Sequence, residues 1–472
     1  MEITILLFVI IYMIGVHLGL YKILEKGGEQ GWKAFIPVYG QITRVKMVGR
    51  PLHYVIYFYI PIVNLFTWYL VIFDLLKSFG KTRFYHMVLG AIFPYIFLPY
   101  LGFSDEKYLG KASELPKIVK STTREWADAI SFAIIAATLI RWSIMEAFTI
   151  PTPSMEKSLL VGDFLFVSKF HYGTRTPMTP LQIPLTHQKV PVIESQSYLP
   201  WIQLPQYRLP GLTTVKNNDV VVFNWPASED CPDCPIDLKT NYIKRCIGIG
   251  GDVVEVRDGQ VYVNNEAAEN PELMQHSYYV QTSSPIRERV FESLEISDPT
   301  YHGTREGTSL YTIHMSEAVA TEMKNFDFVQ VVKLDKPKKE DKDERIFPKG
   351  KDWNSDWYGP ITLPKEGMTI EINEENLILY SMAIKNYEHN ENVEIKDGKL
   401  IIDGKELTEY TFKQNYYFMM GDNRHNSLDS RYWGFVPEDH IVGKGFFIWL
   451  SLDKDKSFLS KIRWSRFFQM IE

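Results

Sequence analysis

Four apolar stretches, near 3–20, 54–76, 86–103 and 129–150, dominate the first third of this 472-residue chain. About 20 apolar residues suffice to cross a bilayer as a helix. The stretches therefore predict a multi-helix membrane region over 1–110, a cytoplasmic linker over 111–128 and a last transmembrane helix over 129–150. The first stretch has no basic residue ahead of it and no A-x-A site after it, so it reads as a retained helix rather than a cleaved signal. The third carries Pro94 and Pro99 and is short, which also suits a re-entrant segment. The basic segments 21–50 and 108–126 mark the cytoplasmic side and put the residues after 150 outside. The equally basic "KSFGKTR" (77–83) falls on the wrong side of simple alternation. Thr122 and Glu125 form a capping box at the start of the fourth helix, and Arg141 near its outer end is placed to snorkel.

After residue 150 the pattern changes to short strands broken by Gly, Pro and Asn. "GDFLFVSKF" (162–170) alternates, "NDVVVFNWP" (218–226) is a buried strand, and "GDVVEVRDGQVYVNN" (251–265) and "GKLIIDGKEL" (398–407) are hairpins around Asp-Gly turns. Few helices interrupt, so the fold class is membrane-anchored and mainly β: transmembrane helices, then an extracytoplasmic all-β domain. That domain comprises 151–265 and 396–472, with an inserted lobe over 266–395. The charge run 333–357 reads as a solvated loop.

The formal charge of −6 gives no reason to expect a nucleic-acid partner. Cys231 and Cys234 form a C-x-x-C; a zinc site would need two further ligands that the sequence does not offer. A small disulfide or two loop thiols remain. No metal or cofactor is expected. Trp201, Trp225, Trp353 and Trp357 are candidates to rest at a membrane interface or to pack in the core.

The chemistry centres on Ser154, in "IPTPSMEKSLL" directly after the last apolar stretch. A serine attacks a carbonyl only when a base removes its proton. His425, with Asp429, is one candidate, although no G-x-S-x-G elbow frames the serine. Lys244 is the other. On a strand it shares a face with Tyr242 and Cys246, where desolvation would lower its pKa.

Together these stretches resemble the type I signal peptidases, membrane-bound serine proteases with a Ser–Lys dyad. "IPTPSM" looks like the family's nucleophile segment. "GDFLFVSKFHYG" (162–173), "NDVVVFNWP", "YIKRCIGIGGD" (242–252), "GDNRHNSLDSRYWGFVP" (421–437) and "IVGKGFFIWLSLD" (441–453) resemble its later boxes, in order. The likeness covers 150–265 and 395–466. It implies Ser154 as nucleophile, Lys244 as general base, Thr152 in the oxyanion hole, Ser427 orienting the lysine, and Asp429 with Arg431 supporting the site. The partners it implies are secretory preproteins and the phospholipid bilayer of the cytoplasmic membrane. The alternative is a membrane-anchored scaffold or receptor of the same fold without catalysis. Four departures stand out: Pro153 where Gly is common, Glu156-Lys157-Ser158 for x-Pro-Thr, Gly250 for Pro, and His425 for Asp. His425 is expected to be a tolerated surface substitution.

Overall fold

The computed structural model describes residues 2–60, 63–116, 121–191, 193–228, 231–305 and 307–471. Residues 117–120 of the expected linker lie outside them. The chain divides into two compact units, 1–125 and 126–472.

The first unit is helical. Glu2–Lys26 and Pro94–Phe103 pack closely because the former carries glycines where they meet. A Cβ at Gly15 would lie 2.4 Å from the Tyr95 carbonyl oxygen, and one at Gly19 2.4 Å from the Pro99 nitrogen. Small residues spaced four apart let backbones approach in this way. Leu20, Ile23, Leu24, Ile72, Leu75 and Leu98 form part of the unit's core.

Two expected spans are broken. The stretch 54–76 divides into Tyr54–Tyr57 and Val63–Lys77. The stretch 86–103 divides at Pro94, where Tyr85–Ile92 and Pro94–Phe103 meet at 115°. A proline at a helix start lacks the N–H that would continue the preceding ladder. Among the described residues no single helix is long and apolar enough to cross a membrane, and the bent pair passes only as a pair.

The fourth stretch is corrected at both ends. Its helix runs Thr122–Ser143, and its cap is Ser121, one residue before the expected Thr122: the Arg124 N–H donates to Ser121 Oγ at 3.4 Å. Met145–Thr149 is a strand, not helix. Glu146, in that strand, accepts from Arg141 at 2.6 Å and pairs with Lys169 at 2.7 Å. Arg141 is thus ion-paired rather than snorkelling.

The second unit is mainly β. Its main sheet contains β1 (Met145–Thr149), β2 (Asp163–Ser168), β3 (Val220–Asn224) and β4 (Asn241–Gly248). Ile441–Ser451 lies between β2 and β3, and Tyr416–Met420 lies beyond β4. All these pairings are antiparallel. β3 is buried along its whole length, as a run of Val and Phe without polar alternation requires. One side of the sheet packs Val221, Phe223 and Cys246 in one cluster, and the other packs Met155, Leu165, Val167 and Val222. The two Asp-Gly hairpins form as read: Val253–Arg257 pairs with Gln260–Val263, and Lys399–Ile402 with Lys405–Leu407. Their turn residues Asp258-Gly259 and Asp403-Gly404 all have positive φ, as a two-residue hairpin turn demands.

The segment expected as one lobe, 266–395, divides. A sheet of His276–Thr282, Thr300–Arg305, Thr308–Met315 and Val329–Leu334 closes around its own core of Tyr278, Val280, Tyr311 and Ile313. Tyr358–Thr362 instead returns to pair with Val253–Arg257, and the helix Glu374–Asn386 packs into the cluster beneath it. The charge run between is not wholly solvated. Its charged residues are mostly exposed, but Ile346, Phe347, Asn354 and Asp356 are buried. Cys231 and Cys234 are joined as a disulfide. Trp225 is buried, whereas Trp201 is 80% exposed.

Candidate active site

Ser154 sits in a single 3-10 turn, Pro153–Met155. Pro153 occupies the first position of that turn, where its fixed φ suits and its missing N–H costs nothing. Thr152 before it is extended (φ −129°, ψ 153°), so the chain leaves β1 straight and turns at the proline. Asn423 clamps the turn from the other side. Its N–H donates to the Ser154 carbonyl at 3.1 Å, and its side-chain amide to the Pro153 carbonyl at 3.1 Å. Among the described residues the Ser154 N–H has no acceptor.

Lys244 lies on β4, opposite Val221 of β3. Its Nζ donates to Ser154 Oγ at 2.7 Å and to the Ile243 carbonyl at 2.9 Å. It also stands 5.3 Å from the centroid of the Tyr242 ring, on the face expected from strand alternation. The lysine is only 4% exposed. Burial brings its pKa down to about 8, with Asp429 and Asp422 opposing the shift. Ser154 and Lys244 face a groove of about 500 Å³, lined on one side by Phe148, Thr149 and Ile150 and on the other by Thr240, Asn241 and Tyr242. Thr152 is exposed at its edge.

The loop 421–431 supplies the support. Asp429 and Arg431 form a two-point pair: Nε to Oδ1 at 2.9 Å and Nη2 to Oδ2 at 2.8 Å, both residues buried. Asp429 Oδ2 also accepts the Gly421 N–H at 3.1 Å. Burial opposes ionisation of Asp429, but Arg431 outweighs it and holds the carboxyl below its ordinary range. Gly421 is where two segments meet most tightly. A Cβ there would lie 2.3 Å from Ser427 Oγ and 2.5 Å from the Ser154 carbonyl oxygen. Ser427 Oγ is buried without an aligned hydrogen-bond partner, although it lies within electrostatic reach of Asp429. The acceptors of Lys244 Nζ are Ser154 and Ile243, with no Ser427 hydrogen bond among them.

Sequence reasoning missed a second pair. Arg245, beside the lysine, grips Asp422 through Nε–Oδ1 at 2.9 Å and Nη2–Oδ2 at 2.8 Å, and Ser158 Oγ donates to Asp422 Oδ2 at 2.6 Å. Strand alternation was the available signal, since it turns Arg245 to the face opposite Lys244, where a buried guanidinium needs a carboxylate.

His425 is not a surface substitution. Its side chain is nearly buried and its Nε2 lies 3.0 Å from both oxygens of Asp356, while its Nδ1 accepts the Ser277 N–H at 3.1 Å. It therefore joins the charge run to the inserted sheet, and lies in no contact with Ser154. The unusual Glu156-Lys157 also meets the insertion: Ser297 Oγ donates to Glu156 Oε1 at 2.9 Å, and Lys157 Nζ to Glu295 Oε2 at 3.0 Å.

A serine hydroxyl facing a desolvated lysine beside a free backbone N–H can carry out acyl transfer. Comparison with known proteins agrees. The family model "Signal peptidase, peptidase S26" matches residues 123–339 and 366–450, more than half of the chain. A family of unknown function (DUF5684) matches residues 32–111. Signal peptidase I of Buchnera aphidicola (from Acyrthosiphon pisum, strain APS) is 28% identical over 68% of this chain and 74% of its own. That of Aquifex aeolicus is 27% identical over 67% and 80%, and that of Haemophilus influenzae 25% identical over 75% and 77%.

Proposed function

The chain belongs to the S26 signal peptidases, serine endopeptidases that cleave signal peptides, and from that premise we propose that it works through Ser154 as nucleophile and Lys244 as general base at the outer face of the cytoplasmic membrane. One observation carries the assignment: the 2.7 Å contact from a buried lysine Nζ to a serine Oγ. Neutral Lys244 takes the Ser154 proton, and the alkoxide attacks the scissile carbonyl. The Ser154 N–H and the Thr152 hydroxyl receive the oxyanion. Lys244 then protonates the leaving amine, and water hydrolyses the acyl-enzyme with Lys244 again as base. Ser427 shapes the lysine's surroundings, and the Asp429–Arg431 pair fixes the loop that carries Ser427.

The preprotein lies extended in the groove between β1 and β4, adding main-chain hydrogen bonds as a strand does. The bilayer is the second partner. Thr122–Ser143 buries no side chain, and although it is not long and apolar enough to cross a bilayer alone, its apolar run can embed in one. No charged residue falls between Asp128 and Arg141. We read it as the anchoring membrane helix, and the helical first unit as a multi-pass region.

The test is cleavage of a purified preprotein carrying an A-x-A site by the full chain, by Ser154→Ala and by Lys244→Ala. Cleavage by the unaltered chain alone supports the dyad. An inactive unaltered chain favours a scaffold, and an active Lys244→Ala overturns the base.

A further inference from the structure

A second cavity, separate from the dyad, lies where the Thr122–Ser143 helix ends and β1 begins. Its volume is about 320 Å³, at the small end of the ~300–1,000 Å³ typical of ligand sites. Its walls carry three cations, Arg141, Lys169 and Arg175, and two carboxylates, Glu146 and Asp237. The charges do not cancel pair by pair. Glu146 is shared between Arg141 and Lys169. Asp237 is taken up by neutral donors: the N–H groups of Met178 and Thr179 at 2.9 and 3.0 Å, and the Thr179 hydroxyl at 3.1 Å. Arg175 has no carboxylate within ion-pair distance among the described residues. Its guanidinium donates to the Asp439 carbonyl and, at 2.7 Å, to Asn224 Oδ1. The cavity thus has one positive charge in excess, the complement of a bound anion.

The apolar part of the wall identifies the anion's setting. Ile183 and Leu185, from the proline-rich excursion, are 50% and 52% exposed. Leu139 and Thr138 come from the helix that has no fully buried side chain. A free ion has no use for such a rim, whereas an amphiphile does.

We propose that this cavity binds the phosphate of a phospholipid headgroup, with the acyl chains leaving along Ile183, Leu185 and the Thr122–Ser143 helix. The site rests on the reading of that helix as membrane-embedded. Arg175 supplies the uncompensated charge. The headgroup would then fix the height of β1, and so of Ser154, against the bilayer.

The test uses short-chain lipids that dissolve as monomers, so that binding is read whether or not the chain inserts. The purified full chain is titrated with dihexanoylphosphatidylglycerol, with phosphate-free dihexanoylglycerol and with inorganic phosphate. One phosphatidylglycerol per chain is expected, with the phosphate-free lipid and inorganic phosphate each bound at least tenfold more weakly. Arg175→Gln is expected to weaken binding about tenfold or more, as loss of a charge-assisted contact does. Ile183→Asp, at a half-exposed rim position where folding is spared, puts a charge where the acyl chains leave and is expected to weaken binding about tenfold or more. Unchanged affinity in both variants overturns the site. Equal binding of inorganic phosphate overturns the lipid assignment in favour of a free anion. Displacement of the lipid by a signal peptide overturns it in favour of a substrate subsite. Ile183→Asp should still cleave preprotein in detergent, whereas cleavage by Ser154→Ala would sink the proposed dyad and leave the lipid result standing.

Discussion

The two segments that meet at Gly421 are held in place by different physics. The loop 421–431 is fixed by two buried, two-point ion pairs, Arg431–Asp429 within it and Asp422 to Arg245 of β4. The nucleophile turn 152–158 is held from without, by the buried Asn423 and Asp422 on one side and by the insertion's exposed Glu295 and Ser297 on the other. The base side of the site is therefore rigid by construction, while the nucleophile's second tether lies at the surface. Buried charge pairs of good geometry resist distortion strongly, and rim contacts weakly. Substitutions that probe the two sides should separate accordingly.

The largest effect belongs where the two segments touch. Ser154→Ala or Lys244→Ala should each lower kcat by about 10⁴-fold or more, and the double variant little further, because the pair acts as a unit. Single-turnover cleavage of a preprotein measures this; additive losses would mean that the two residues do not share a proton.

Next comes the rigid side. Arg431→Leu leaves the Asp429 carboxylate buried and unpaired, and should cost about 3–5 kcal/mol of stability by denaturant unfolding. Asp429→Leu with Arg431→Leu removes both charges and should recover much of that loss. Activity should not recover with it if the pair's task is to hold the loop.

The comparison also explains what could be read without a structure. Ser154, Lys244, Asp429 and Arg431 were singled out through the family resemblance of their compact segments, and the structure sets Ser154 beside Lys244 and Asp429 beside Arg431. Strand alternation placed Lys244 on the face of Tyr242, and it holds. Asp-Gly between alternating runs located both hairpins. The partners of Glu156, Lys157 and His425 were not legible, because Ser297, Glu295 and Asp356 lie 141, 138 and 69 residues away. No local pattern encodes a contact of that separation. His425 looked like a surface change because its loop is polar, yet the charge run folds over it. The helix boundary failed for a related reason. "SIMEAF" is apolar enough to continue a span, but Glu146 pairs with Arg141 of the preceding helix and with Lys169 just after β2, and the strand wins.

A third prediction concerns the charge on the base. With its pKa near 8, Lys244 is neutral only above that value, so cleavage should fall as pH drops through about 8. Stability follows the same titration. Below pH 8 the lysine is charged in both folded and unfolded states, and the folded protein bears the cost of burying it. Between about 8 and 10.4 the folded state releases its proton before the unfolded one does, so stability rises with pH. Lys244→Met should therefore be more stable than the unaltered chain at pH 7, by up to about 3 kcal/mol, with the gap closing near pH 10. A constant gap across pH would place the cost elsewhere than in ionisation.

The smallest effect tests the tether. Lys157 Nζ reaches both the Glu295 carbonyl and its carboxylate, but Glu295 is 82% exposed and water screens the pair. Lys157→Ala should cost at most about 1 kcal/mol of stability, and leave kcat within about twofold, because Asn423 still clamps the turn through both carbonyls. Glu156 presents the sharper contrast on the same tether. Burial raises its pKa against the partial relief of Ser297, so Glu156→Gln keeps the hydrogen bond and removes a disfavoured charge. Stability should then be equal or higher at pH 8 and should converge with the unaltered chain as acid protonates Glu156. A tenfold loss of kcat in Lys157→Ala, with stability intact, would instead show that the insertion positions Ser154, and that the nucleophile's side of the site is as firmly built as the base's.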